Sequence, residues 1–512
     1  MKHTRRFAAF FASCLMLGST GLSYAVSAED TTQADSYDYG DINLDHSVDV
    51  SDAVLLARYS AEDKTANISA RGKQLADANN DGEVTKDDTI AILEYIAKKR
   101  PTLGPSVQPP QPVGKTVNLM QDITAADAEA KTVDEAFTDS QYAFAAGLFK
   151  ESDRSNEERK NLLISPLSVS VALSMTANGA KEQTLSEMEN VLGGDLKIAD
   201  LNAYYKDLLN TLPNNEKAAL YPANSIWIKD APQISVPQEF LQTNANYYGA
   251  DAFRAPFNQQ TLDDINGWVN ENTHEMIPKL LDEFPNDDVF MYLINALAFE
   301  AEWDMPYTTD EVFKSKFTPY DGEAFETDML YAKLGIYLED EYATGFVKYY
   351  KDCGYSFAAI LPKESKNVTV ADYIGMMTQE SLQKLLNKRQ QCPVITTMPK
   401  FKFAYDTELS GALKNLGMPA AFDDELSNFT GLNEGDAYIG RVLHKTFIQL
   451  DENGTKAGAV TAVEMLEKTA VEPEPKRVDL NRPFIFVIMD EVHHIPVFMG
   501  YVMNPAEETP AE

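Results

Sequence analysis

Two twelve-residue stretches near the N-terminus carry oxygen-bearing side chains at alternate positions. Residues 41–52 read DINLDHSVDVSD and residues 77–88 read DANNDGEVTKDD. Aligned, they set Asp41 with Asp77, Asn43 with Asn79 and Asp45 with Asp81 at positions one, three and five, and Asp52 with Asp88 at position twelve. A hard cation takes about six to eight oxygens, and alternate residues of a tight turn point inward, so this is the ligand spacing of a calcium loop. Ser47 and Glu83 stand where a backbone carbonyl would bind; Asp49 and Thr85 stand where a ligand can act through water. Aspartate replaces the usual glutamate at position twelve. Two loops predict two Ca2+ ions. Position six needs a sharp turn that glycine makes most easily. Gly82 meets that need, but His46 stands there in the first loop, which is therefore expected to bind more weakly. The alternative is an acidic turn without metal, and two copies in register argue against it.

A second unusual stretch lies between Leu450 and Pro483, about thirty residues that read neither as a core helix nor as an ordinary strand. Its first half alternates. Thr455, Ala457, Ala459, Thr461, Val463 and Met465 form one uncharged set that begins small. Lys456 and Glu464 fall in the other, with Gly458, Val460 and Ala462 between them. Period two is the pattern of a strand with one buried face. So many Gly and Ala hold a strand poorly, and no Pro bars entry to a sheet before Pro473. The segment reads as a flexible loop able to become a strand. A plain small-residue linker or helix is the alternative.

Enzyme signatures are missing: the chain has no GxSxG, HExxH, CxxC, P-loop or GxGxxG. His274-Glu275 lacks a second His four residues on. His493-His494 has no evident acidic or thiol ligand set and reads as a surface pair in a strand turn.

These residues must be positioned by the elements around them. Each acidic loop precedes a helical run, Ala53–Tyr59 and Thr89–Lys98, in which Val54 matches Ile90, Leu56 matches Ile92 and Tyr59 matches Tyr95. This is an internal duplication at 36 residues. Residues 101–115, with five prolines, predict an extended spacer. Farther on, Gln141–Lys150, Val169–Ala177 and Gln183–Leu192 have helical spacing. Asn224–Ile228, Phe346–Tyr349, Phe357–Leu361 and Phe484–Met489 are rich in aromatic and β-branched residues and predict strands. Helices early and strands late predict an α+β domain.

The 512 residues hold 79 Asp+Glu against 44 Lys+Arg, a formal charge of −35. That balance argues against nucleic acid as a partner. Lys2, Arg5 and Arg6 precede an apolar run from Phe7 to Leu22 and small residues Val26 and Ala28. This reads as a secretory signal cleaved after Ala28, with a membrane anchor as the alternative. No later stretch is apolar and long enough to span a bilayer, so no membrane partner is expected. Cys353 and Cys392 remain after cleavage; they can pair outside the cell, and two buried thiols are the preferred reading.

Residues 38–100 resemble a type I dockerin domain: two calcium loop–helix repeats, hence a small all-α calcium-binding unit. The resemblance implies binding to a cohesin domain of a scaffolding protein, and so a secreted, extracellular, cellulosome-associated chain. The positions expected to face the cohesin are Val50, Ser51, Lys86 and Asp87.

The large domain resembles a serpin through NLLISPLSVSVALSMTANGA (161–180), NSIWI (224–228), INGWVNENTHEMIPKLL (265–281), LINALAFEAEW (293–303), MPKFKF (398–403), LKNLGMPAAF (413–422), HKTFIQLDENGTKAGAVT (444–461), RPFIFVI (482–488) and FMGYVMNP (498–505). The resemblance implies an α+β fold of helices over three β-sheets with an exposed reactive loop, a monomeric domain, and suicide inhibition of a serine protease. The hinge would be Glu452, Gly454, Thr455, Ala457, Gly458, Ala459 and Thr461, with Glu452 paired to Lys400. Ser165, Ser168, Asn295 and His444 would form a polar cluster under the sheet opening, and Trp303 would lie beneath the loop's entry point. Counting seventeen residues from Glu452 sets the reactive bond at Lys468-Thr469 and implies a trypsin-like target. Counting back from Arg482-Pro483-Phe484 shifts it toward Val471 or Glu472, and Ala470-Val471 would suit an elastase- or subtilisin-like enzyme. The division expected is signal 1–28, dockerin 38–100, linker 101–115 and serpin 116–512. The runner-up reading is a non-inhibitory serpin-fold binding module. A hydrolase cargo finds no motif here.

Overall fold

The computed structural model describes residues 39–61, 63, 65–79, 84–99, 103, 114–231, 234–283, 289–433, 437–455 and 474–507. The chain divides into two compact units, residues 1–111 and 112–512.

In the first unit, α1 (Val50–Ser60) and α3 (Lys86–Ile96) are the duplicated helices, and a single turn, α2 (Ala70–Gln74), lies between them. Asp49 and Thr85 cap the two helices at equivalent positions, each within a capping box closed by Asp52 or Asp88. The duplication thus extends to the helix caps. Leu56 and Ile92 are fully buried, with Ala53 and Ala91 beside them, and form the small core.

The second unit begins with β1 (Val117–Asn118), α4 (Glu135–Ser155), β2 (Leu162–Ile164), α5 (Pro166–Ala177), α6 (Glu182–Gly193) and α7 (Ile198–Thr211). Next come β3 (Ala218–Lys229), α8 (Gln238–Tyr248), β4 (Asp251–Ala255), α9 (Gln259–Asn272) and β5 (Met291–Glu302). Then follow β6 (Val312–Phe317), β7 (Phe325–Glu339), β8 (Ala343–Tyr349), β9 (Tyr355–Pro362), α10 (Val370–Met376) and α11 (Gln379–Asn387). The last group is β10 (Gln390–Pro399), β11 (Phe401–Glu408), α12 (Ser410–Leu416), β12 (Arg441–Leu450), β13 (Gly454–Thr455), β14 (Lys476–Asp479), β15 (Phe484–Asp490) and β16 (Ile495–Val502). The helices and strands expected from the sequence fall inside these elements, except that Ala97 and Lys98 lie just past the end of α3.

One sheet has seven strands in the order β1-β4-β3-β5-β13-β12-β11. The other strands form a nine-stranded ladder. Within it, the β14-β10-β7-β6 group and the β8-β9-β15-β16-β2 group meet only through a short β7–β8 pairing, Tyr337–Glu339 against Thr344–Phe346. Two of the three expected sheets therefore run into one another.

Every residue of α5 is buried, because this helix is enclosed on all sides and its sequence is apolar or small all round. Strand β5 alternates: Leu293, Leu297 and Phe299 join the main core, whereas Tyr292, Ile294 and Ala296 join a second cluster with Ile265 and Val269 of α9. Period two therefore turns Asn295 to the main-core side.

Two sequence expectations are corrected here. Neither remaining cysteine is buried: Cys353 is exposed and Cys392 half-buried, and both are free thiols. Cys353 lies in a surface turn, outside any core-facing pattern. His493 is not freely exposed but half-buried. Its side chain is 8% exposed; its Nδ1 bonds buried Asp490, three residues upstream, and its Nε2 lies 2.9 Å from Thr211 Oγ1. His494 alone is exposed. Among the described residues no helix is long and apolar enough to cross a membrane.

Candidate functional site

The seven-stranded sheet has an opening. Strands β5 and β12 are parallel and directly bonded from Tyr292–Leu297 against Arg441–Thr446. Above Leu297 and Thr446 they separate, and β13 fills the start of the gap. Gly454 pairs with Glu302 and Thr455 with Ala301 of β5, while Thr455 also pairs with Leu450 of β12. Thr455, the first residue of the alternating segment, and Gly454 before it are thus already a strand.

Glycine is required at the entry. Gly454 has φ +154°, and a Cβ there would lie 2.0 Å from the carbonyl oxygen of Ala301. Thr455 is buried, and its hydroxyl lies 2.7 Å from the hydroxyl of Tyr350, also buried. The Tyr350 ring stacks on Trp303 with centroids 4.3 Å apart. Trp303 holds the turn before the hinge: its indole N–H donates to the Asp451 carbonyl at 3.0 Å and its backbone N–H to the Asn453 carbonyl at 2.8 Å. The backbone N–H of Tyr307 donates to the Glu452 carbonyl at 2.9 Å. The Glu452 carboxylate meets Lys400 Nζ at 2.6 Å, and that bond holds its pKa below the usual carboxylate value.

Below the opening, the four polar residues named from the sequence come together. His444 and Asn295 face each other across β12 and β5, and His444 Nδ1 bonds Asn295 Oδ1. His444 Nε2 accepts from the backbone N–H of Ser165 at 3.0 Å, so the proton belongs on Nδ1. The Asn295 amide donates to Ser168 Oγ and to Asn224 Oδ1, each at 2.6 Å. Ser165 caps α5 and donates to the Val497 carbonyl at 2.8 Å. Burial drives the imidazole pKa down to about 3, so His444 is neutral and the cluster is a hydrogen-bonded lock between the two strands.

Asn224, Tyr307, Lys348 and Tyr350 were not singled out from the sequence. Asn224 lies within the NSIWI stretch, and its pairing with Asn295 across β3 and β5 is visible only in the fold. The others carry no local signal. Ala457, Gly458, Ala459, Thr461, Lys468 and Thr469 lie outside the described residues.

In the first acidic loop Asp41 and Asp52 are buried. Asp52 Oδ1 accepts from the N–H groups of Ile42 and Asn43 (2.8 and 3.1 Å) and Oδ2 from Asp49 (3.0 Å). Asp41 accepts from Asp45 and His46. Asp45 Oδ1 accepts from the N–H of Ser47. His46 takes φ +69°, so the turn expected of glycine is kept despite the side chain. In the second loop Asp88 accepts equivalently from Asn79 and Thr85 (3.0 and 2.7 Å); Asp81 and Glu83 lie outside the described residues. Among the described residues no three His, Cys, Asp or Glu are already grouped to hold a metal. The donor set of the first loop nonetheless fits calcium by type: Asp41, Asn43, Asp45 and Asp52 supply hard oxygens, and a carboxylate oxygen bonded to one N–H keeps a further lone pair. Val50, Ser51, Lys86 and Asp87 are all exposed, and so are Val54 and Ile90, each 51%.

The site is thus a sheet whose strands β5 and β12 part at one end, with the two-residue strand β13 between them and a buried polar cluster joining them below the gap. Residues 139–505 match the family model Serpin (serine protease inhibitor), and residues 39–97 match the Dockerin type I domain. The chain belongs to the serpin family and carries an N-terminal type I dockerin domain. It is 30% identical over 380 residues to a serine protease inhibitor of Rattus norvegicus, covering 71% of this chain and 87% of that protein. It is 28% identical over 373 residues to an uncharacterized serpin-like protein of Methanosarcina acetivorans, covering 72% and 87%. The native crystal structure of the thermophilic serpin tengpin shares 42% identity over 76% of this chain and 100% of its own, with a TM-score of 0.72. Against the latent state of tengpin the TM-score is 0.64.

Proposed function

We propose that this chain is a secreted suicide inhibitor of a serine protease, tethered by its dockerin to a cohesin of a cellulosome scaffold. The observation that carries the reading is the docked hinge: Gly454 and Thr455 already sit in register between two strands that part only above the lock.

The protease serine attacks the carbonyl of the reactive residue, proposed as Lys468. The bond to the Thr469 nitrogen breaks, that nitrogen leaves as an amine, and an ester joins enzyme and inhibitor. The freed loop then zips down between β5 and β12, with Ala457, Gly458, Ala459 and Thr461 following Thr455. Insertion must outrun ester hydrolysis, which is why small uncharged residues at the inward positions support an active inhibitor. The lock of His444, Asn295, Ser168 and Ser165 must open to admit the strand, and the Glu452–Lys400 pair marks where it starts.

A bound calcium ion would neutralise the clustered carboxylates of each acidic turn. Asp41, Asn43, Asp45, Ser47 and Asp52 would hold one ion, and Asp77, Asn79, Asp81, Glu83 and Asp88 the other. Val50 and Ser51, or Lys86 and Asp87, would then meet the cohesin, with exposed Val54 and Ile90 as the apolar part of that face. The two pairs differ chemically, so the two faces are not equivalent in this reading. The serpin unit acts as a monomer, and residues 1–28 serve as the export signal.

The test is incubation with trypsin-, chymotrypsin-, elastase- and subtilisin-like enzymes. A denaturant-stable complex with one of them, with the released C-terminal peptide weighed by mass spectrometry, supports the reading and fixes the bond. Cleavage without any complex would replace it with the non-inhibitory binding module.

A further inference from the structure

One cation at the sheet opening has no part in the account above. Lys348, on β8, is only 5% exposed. Its Nζ donates to the carbonyl of Met305 at 2.8 Å, not to a carboxylate. It lies 4.4 Å from the ring centroid of Tyr307 and 5.3 Å from that of Trp303. Trp303, Met305 and Tyr307 belong to one short segment, and that segment carries the three N–H groups that hold the carbonyls of Asp451, Asn453 and Glu452. The lysine thus grips the middle of the receptor for the hinge, through its backbone and through two ring faces.

We propose that Lys348 is a positioning residue for loop insertion: it pins residues 303–307 so that the hinge stays docked and insertion starts from a strand already formed. The inhibitory part of this inference rests on the proposed function; the docking part does not.

The groups around Lys348 favour a cation that its burial opposes. Asp304 and Glu311 favour the charge, and Lys351 lies 4.0 Å from Asp304. Tyr307 and Tyr350 are held neutral by burial. Burial outweighs the two carboxylates and lowers the lysine pKa to about 8. The grip therefore weakens as pH rises through about 8, because a neutral amine is a poorer donor and has no cation–π attraction.

The test compares the full chain with Lys348→Met and Lys348→Arg. Amide exchange of residues 451–455 and Trp303 emission are followed from pH 7 to 9.5, with exchange corrected for its intrinsic pH dependence. At pH 7 Lys348→Met is expected to lose protection at the hinge on the order of tenfold, with β15 and β16 unchanged and Lys348→Arg closer to wild type. The wild type is expected to lose hinge protection across pH 8, and Lys348→Met to show no such step. With a protease that forms a complex, Lys348→Met should need several-fold more inhibitor per enzyme at an unchanged association rate. Wild-type protection at the hinge of Lys348→Met, or loosening spread over the whole domain, overturns the proposal. If Lys348→Met does not fold, the wild-type pH profile decides alone, and a flat profile sinks the idea. If the wild type forms no complex with any protease, the inhibitor reading fails while the exchange result still judges Lys348.

Discussion

Replacing Thr455 by Val removes one hydroxyl at nearly constant shape. Thr455 Oγ1 and the Tyr350 hydroxyl are 2.7 Å apart, and both residues are at most 1% exposed. In the variant the docked hinge keeps its strand-favouring, β-branched residue but leaves the Tyr350 hydroxyl buried and unpaired. That costs about 1–3 kcal/mol, equivalent to a shift of roughly 5- to 150-fold in the ratio of docked to undocked hinge. Undocking should be visible in two places. Amides of residues 451–455 should exchange faster by that factor, and the emission of Trp303 should change, because its ring lies on Tyr350 and its N–H holds the Asp451 carbonyl. Tyr350→Phe should reproduce much of the effect, and the double variant should cost less than the sum of the two singles. If Thr455→Val exchanges like the wild type, or if the two substitutions simply add, the hydroxyl pair does not hold the hinge.

Gly454→Ala brings a Cβ to 2.0 Å from the Ala301 carbonyl oxygen and is expected to expel the hinge altogether, raising the fraction of inhibitor cleaved as substrate; an unchanged stoichiometry would refute the docked geometry. His444 is held neutral with a pKa of about 3, below its unfolded value of 6.5. The unfolded chain therefore takes up a proton below pH 6.5 that the native chain refuses, so stability is full above pH 6.5 and falls toward pH 3. The slope is about 1.4 kcal/mol per pH unit for this group. Melting temperature measured at pH 7 and pH 5 should drop less in His444→Gln than in the wild type, and equal drops would count against the assignment. Asp77→Ala with Asp88→Ala should abolish calcium-dependent cohesin binding while leaving protease inhibition intact, read by titration calorimetry and a residual-activity assay; loss of inhibition as well would contradict two modular units.

Some of this was legible because it is written at fixed offsets along the chain. Calcium loops repeat oxygen donors every second residue. The helices show in their apolar spacing. Where reading failed, a partner distant in sequence or outside any motif decided the outcome. His493 looked like a surface residue although its Nδ1 partner, Asp490, lies only three residues upstream; its other partner, Thr211, is 282 positions away. Cys353 looked like a core thiol because cysteines usually are, yet it occupies a surface turn with Asp352 and Cys353 at positive φ.

The two acidic turns could be read from the sequence by itself, since they need particular residue types at local spacing, whereas the members of the polar lock, up to 279 positions apart, were named only through the family resemblance. Tertiary structure alone decided that Thr455 would meet Tyr350 across 105 residues and that Asn224 would meet Asn295 across 71. It also set Lys348 behind the hinge's receptor. These pairings depend on which strands are neighbours in a sheet, and strand order is set by burying both faces of β5 at once, a condition no single stretch of the chain can express.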